Sequence, residues 1–400
     1  MIKFESILVL MLALLLTFSV FSQNEEKKDE GYKFTEVKTI KTTPVKDQYR
    51  SGTCWSFSTL AFIEAELLRT GKGEYDLSEM FIVRKTYEDK AVKYVRYHGS
   101  LNFAGGGAFH DVFNVIKNYG ILPESDYKGL EYGEKSHVHG ELDEVLKAFV
   151  DAVKKNSNKK LSPVWVNAFS GILDAYLGKV PENFTYKGVV YNPQSFAKSL
   201  GLNMEDYVSI SSFTHHPFYE KFIIEIPDNW AMEEVYNVKM DEMIEIIDNA
   251  INNGYTVAWG ADVSEKGFSW TNGVAVVPEE DRPDLSGLER DKWEKLSASE
   301  KAKQLYSFDK PVVEKTITQE LRQEEFDNYL TTDDHGMLIC GIAKDQNGTK
   351  YYLVKNSWNT NNLYDGFFYV SEAFVKFKTT DFSVHKDALP KNIKKELNIK

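Results

Sequence analysis

The sequence predicts an α+β protein in which helices come first and strands follow, and three observations carry that reading. Apolar residues Phe57, Leu60, Ala61, Ala65 and Leu68 recur with helical spacing between Cys54 and Gly71. A second stripe runs through Met240, Met243, Ile244, Ile247 and Ile251 and stops at Gly254. Beyond it, residues 337–343 and 351–355 read as strands joined by a turn containing Asn347 and Gly348, the pair favoured in tight hairpins.

Taken in order, the chain opens with an apolar stretch at 7–21, preceded by Lys3 and followed by small residues at the positions a signal peptidase needs. A spanning helix needs about 20 apolar residues. Residues 1–22 therefore read as a cleavable signal peptide, which implies a secreted or periplasmic protein without a stable membrane anchor. Residues 23–33, almost all charged or amide at first, read as a solvated linker. The helical part is expected over 34–235: after the Cys54 helix come helices at 109–118, stopped by Gly120, at 141–155 and at 166–177. The strand-rich part is expected over 236–400. It begins with the Met240 helix and a β-rich run at 255–260, and includes a charged helical segment at 278–305 with a solvated face.

The 400 residues, 42% of them apolar, can fill two domains or one large fold. A net charge of −12 argues against nucleic acid as a partner. Two cysteines, Cys54 and Cys340, are too few for a disulfide framework or a thiolate metal cage.

Chemistry concentrates in three stretches: PVKDQYRSGTCWSFSTLAF at 44–62, DDHGMLICGIAKD at 333–345 and YYLVKNSWN at 351–359. A cysteine at a helix N-terminus meets unpaired N–H groups and the positive end of the dipole, which favours thiolate; Cys54 has that place. His335, at the start of a strand, can take and return the proton. Asn356, at the end of the next strand, can hold the imidazole in one tautomer without adding charge. Gln48 can donate a side-chain amide hydrogen to the oxyanion that forms on a carbonyl under attack.

With Gln48, Gly52, Cys54, Trp55, His335, Gly336, Asn356, Ser357 and Trp358 in this order, the chain resembles the papain-like cysteine peptidases. His335 lies 281 residues after Cys54, where that family usually leaves about 130–150. This long insertion, with FSGILDAYLG, SSFTHHPFY, the 236–265 stretch and HKDALPK, resembles the bleomycin hydrolase and aminopeptidase C branch. The resemblance implies a helical half packed on a β-barrel half with the cleft between them, helical insertions, and a homo-hexamer. It also implies an aminopeptidase acting on peptides, with the C-terminal carboxylate, at Lys400 or nearby, clamping the substrate's amino group. Gly105, Gly106 and Gly107 would line the substrate pocket with bare backbone. Trp55 belongs to the nucleophile motif, and Trp358 would shield the Asn356 to His335 bond from water.

Two departures from the family pattern stand out. Ser51 replaces a disulfide cysteine, and Asn359 replaces a glycine, asparagine being the residue most tolerant of positive φ after glycine. Cys340 reads as a buried packing residue. The adjacent His215 and His216 point in different directions, and His137 and His139 alternate in a polar loop, so neither pair suggests a metal, and no cofactor is implied. Two other functions stay open: an endopeptidase, if the tail lies outside the cleft, and a catalytically silent peptide-binding scaffold of the envelope.

Overall fold

The computed structural model describes residues 31–400, so the signal-peptide reading and most of the linker lie outside the described residues. Helix α1, Cys54–Arg69, is buried on nearly every side, including its polar residues Ser56, Thr59, Glu64 and Glu66. Around it lie α2 (Glu79–Arg96), α3 (Phe109–Tyr119), α4 (Gly140–Lys154), α5 (Trp165–Leu177) and α6 (Pro193–Leu200). Their shared core includes Phe62, Ile63 and Leu67 of α1, Phe81 to Val83 of α2, Val112, Leu146 and Leu173.

The strands are β1 (Thr35–Thr39), β2 (Phe184–Tyr186), β3 (Val189–Tyr191), β4 (Tyr207–Ser211), β5 (Lys221–Ile223), β6 (Glu234–Asn237), β7 (Val257–Ala261), β8 (Phe268–Ser269), β9 (Val274–Ala275), β10 (His335–Lys344), β11 (Lys350–Lys355), β12 (Phe367–Ser371) and β13 (Thr379–His385). Apart from the β2–β3 hairpin they form one sheet in the order β5-β6-β4-β13-β7-β10-β11-β12-β9-β8, with β1 also paired to β10. Among the described residues this path does not close on itself. The helical part ends with α6, and β4 to β6, too short to show a period, already belong to the sheet.

Strand alternation joins the two parts. Val257 and Trp259 of β7 and Met337 and Ile339 of β10 point into the sheet's own core, while Ala258 and Leu338 between them point into the helical core. The sheet core is closed by α7 (Met240–Asn252) through Met243, Ile247 and Ile251. The charged 278–305 segment is two helices, α8 (Gly287–Glu294) and α9 (Ala298–Leu305), separated where Ser297 and Glu300 form a capping box. Helices α10 (Gln319–Asp327), α11 (Glu372–Lys378) and α12 (Lys391–Glu396) complete the chain. No helix among the described residues is long and apolar enough to cross a membrane.

Candidate active site

Strand register sets the site. His335 opens β10 opposite Ala261 of β7, and Asn356 follows the last residue of β11, Lys355, which pairs with Leu338. The two side chains meet, with His335 Nε2 2.7 Å from Asn356 Oδ1. The Ser357 backbone N–H also donates to that Oδ1 at 2.8 Å, which identifies it as the acceptor. Nε2 therefore carries the ring proton, and Nδ1 is the free base. The Trp358 ring stacks on the imidazole at 4.5 Å between centroids, and His335 and Asn356 are both buried.

Cys54 is the first residue of α1 and lines the same pocket as His335, with Trp55, Gly107, Phe109, Gly336 and four aspartates. The expected helix-terminal preference for thiolate is not what dominates here. Burial pushes the Cys54 thiol up to about 12, against the Gly336 and Trp55 backbone N–H groups, and Asp333 and Asp228 add to the rise. A helix terminus contributes at most about 2 kcal/mol, less than desolvating a thiolate beside two carboxylates. Burial likewise lowers His335 to about 4, against the raising effects of Asn356 and Asp334. Both shifts favour the neutral forms, thiol and imidazole.

Gln48 is buried, and its orientation is fixed: Ser357 Oγ donates to its Oε1 at 2.6 Å, and its Nε2 donates to the Ser51 carbonyl at 2.9 Å. One Nε2 hydrogen is thus committed to the loop that leads into Cys54, leaving the second. Ser51, where the disulfide cysteine is missing, donates to Gln48 O at 2.7 Å and lies 2.5 Å from Thr53 Oγ1. Asn359 has φ 61°, the conformation its side chain tolerates best after glycine.

The glycine run divides. Trp55 Nε1 donates to Gly105 O at 3.1 Å, and Lys90 Nζ binds Gly106 O, so those two carbonyls are taken. Gly107 alone of the three lines the pocket, and a Cβ there would come within 2.8 Å of the Trp55 ring. Lys400 is not brought to the site. Strand β13 runs from Thr379, paired to Ala261, out to His385, and the tail folds into α12, docked on the sheet core through Ile393 and Leu397. No residue after Asp381 lines the Cys54 pocket. Past Ile226 and Asp333 the cleft widens into a hollow walled by Phe326, Tyr329 and Thr331.

Sequence reasoning missed Asp228, Asp381 and Gly260 in this pocket. Asp381 left a faint signal, a lone acid in the strand TTDFSVH, and Asp333 lay unremarked two residues before His335. Cys340 is buried among Tyr351, Leu353 and Tyr369. His215 and His216 do converge, on Glu225 at 3.0 and 2.7 Å. Gln323 accepts the Thr214 N–H at 2.6 Å and so presents its NH2 to His215 Nδ1 at 3.0 Å. The His215 proton then sits on Nε2 and is donated to Glu225, which leaves that nitrogen no lone pair for a metal.

A helical wall carrying a cysteine, set against a sheet carrying a histidine and an asparagine, is the architecture of the papain-like cysteine peptidases. Comparison with known proteins agrees. Residues 32–210 match the model of the papain family cysteine proteases, and residues 295–400 match that of the peptidase C1-like family. Aminopeptidase C of Lactobacillus helveticus is 22% identical over 89% of this chain and 82% of its own, and that of Listeria monocytogenes 21% over 90% and 84%. The structure of PepW from Lactobacillus rhamnosis shares the fold with a TM-score of 0.67 at 19% identity, covering 91% of this chain and 84% of that one. The two matches together place most of the chain among the papain-type cysteine peptidases, and over nearly its whole length it is similar to the aminopeptidase C proteins.

Proposed function

We propose that this protein is a cysteine-type aminopeptidase that removes residues from the N-terminus of peptides through an acyl-enzyme on Cys54. The observation that carries the reading is the 2.7 Å His335 to Asn356 bond, which frees Nδ1 as a base in the pocket that holds the Cys54 sulfur. As the sulfur attacks the carbonyl, its proton passes to Nδ1. The oxyanion takes hydrogen bonds from the Cys54 N–H and the second Gln48 amide hydrogen. His335 then protonates the departing amine, and water, deprotonated by the same nitrogen, releases the acid.

The test is hydrolysis of alanine para-nitroanilide with and without an N-acetyl block. Cleavage of the free-amine compound alone supports the reading. A second reading, endopeptidase, is favoured by the docked tail and by the hollow beyond Ile226, which leaves room for residues ahead of the cleaved bond. Equal cleavage of blocked and free compounds selects it. We also propose export on the strength of the 7–21 stretch, checked by whether the full chain appears outside the cytoplasm in shortened form. A hexamer, implied by resemblance, is checked by light scattering.

A further inference from the structure

Four aspartates line the Cys54 pocket from three separate segments: Asp228 from the loop before β6, Asp333 and Asp334 from the loop before β10, and Asp381 from β13. They differ in how they are paired. Asp228 accepts a hydrogen bond from Asn102 Nδ2 at 3.0 Å and faces Lys90, whose ammonium is bound to the Ala104 and Gly106 carbonyls. The adjacent Asp334 is held by the hydroxyls of Ser264 at 2.5 Å and Thr332 at 2.8 Å. Asp333 has no hydrogen bond or ion pair among the described residues. Asp381 is only 6% exposed and lines the pocket, yet its carboxylate receives a single long contact, 3.4 Å from the Thr380 hydroxyl to Oδ1.

Asp381, buried, and Asp333, half-buried, stand together without a counter-cation, and must either hold a proton or await a cation. Burial and their mutual repulsion raise Asp333 well above the usual range, and burial brings Asp381 to about 7. The other walls, Ile226, Phe109, Gly107 and Gly260, are apolar or bare backbone, which suits an organic cation better than a hydrated metal ion.

We propose that Asp333 and Asp381, with Asp228 across from them, form a subsite for an alkylammonium group of the substrate, namely the α-ammonium of the peptide beside the bond that Cys54 attacks. The inference rests on the aminopeptidase reading and supplies what that reading lacks here, an anion for the amino terminus when the tail is docked elsewhere. It also couples recognition to chemistry. Asp333 and Asp228 hold the Cys54 thiol up, so a bound ammonium that neutralises them eases transfer of the thiol proton to His335.

The test compares wild type with Asp381→Asn and Asp333→Asn. On alanine para-nitroanilide, each variant loses about 10- to 100-fold in kcat/KM, the worth of a hydrogen bond to a charged group. Retention within about 3-fold in both overturns the subsite and leaves the aminopeptidase reading standing. If wild type cuts only blocked compounds, that reading fails instead, and the subsite is judged on N-acetyl-Lys-Ala against N-acetyl-Leu-Ala para-nitroanilide. A preference for lysine that Asp381→Asn abolishes supports it, and no preference overturns it. Should the variants misfold or turnover be absent, wild type is heated in n-butylammonium chloride or in an equal concentration of sodium chloride. A higher midpoint with the amine supports the subsite, and equal midpoints overturn it.

Discussion

Two sets of buried carboxylates flank helix α1, and they are treated in opposite ways. Behind the helix, Glu64 and Glu79 share one cation. Lys46 Nζ lies 2.6 Å from Glu79 and 3.2 Å from Glu64, and reaches Asp76 at 2.7 Å. Glu64 further accepts from Thr43 Oγ1 at 2.6 Å and the Leu77 N–H at 2.9 Å. Against the burial that would lower it, these carboxylates raise the Lys46 ammonium well above its ordinary value. In front of the helix, Asp333 and Asp381 have no cation at all. The paired set ties the 43–46 segment and α2 to α1. The unpaired set, open to the cleft, gains its cation only when something binds.

Substitutions separate the two sets, and the largest effect falls on the nucleophile between them. Cys54→Ala lowers hydrolysis of alanine para-nitroanilide by about 10⁴-fold or more, as removal of a nucleophile does, and leaves urea unfolding unchanged; retained turnover would place the chemistry elsewhere. Lys46→Met strands Glu64 and Glu79 and costs about 3–5 kcal/mol in urea unfolding, with kcat per folded molecule unaltered. A cost below about 1 kcal/mol would mean that the rear set does not depend on its cation.

Asp381→Asn acts in the opposite sense. Its folded pKa lies near 7, above the unfolded value of 3.8, so between these limits the native state holds the extra proton and stability falls as pH rises. The amide removes that loss. The variant therefore matches wild type below pH 4 and exceeds it by about 2–4 kcal/mol above pH 7, measured as urea midpoints across that range. Asn356→Ala frees the imidazole and lowers kcat by about 10- to 100-fold, with glutamine at 356 restoring less than asparagine. The smallest effect is at Asn359, where alanine costs about 1 kcal/mol for its positive φ and glycine stays within about 0.5 kcal/mol of wild type.

The residues that act on the bond were legible because their signals are local: a cysteine opening an apolar helix, a histidine opening a strand, an asparagine closing the next. Helix α2 was not legible. Met80, Phe81, Ile82 and Val83 are all buried in succession, as are Arg84 and Lys90 further on, so no apolar stripe marks it. The acidic pocket was hidden for another reason. Asp333 and Asp381 are far apart in sequence and meet because β10 and β13 flank β7 in the sheet, and Asp228 joins them from the loop between β5 and β6. The tail was assigned to the cleft by resemblance alone, whereas Ile393 and Leu397 carry α12 onto the sheet.

That docked helix has a practical side. Asn249 Nδ2 clasps the Ala388 carbonyl at 2.7 Å, and Lys394 grips Asp387 at 2.9 Å, so the stem of the tail is stapled at the far end of β13 from His335. A passenger domain fused after Lys400 would be joined through this docked helix, none of whose residues lines the Cys54 pocket, so the protein could be tethered or immobilised by its own C-terminus.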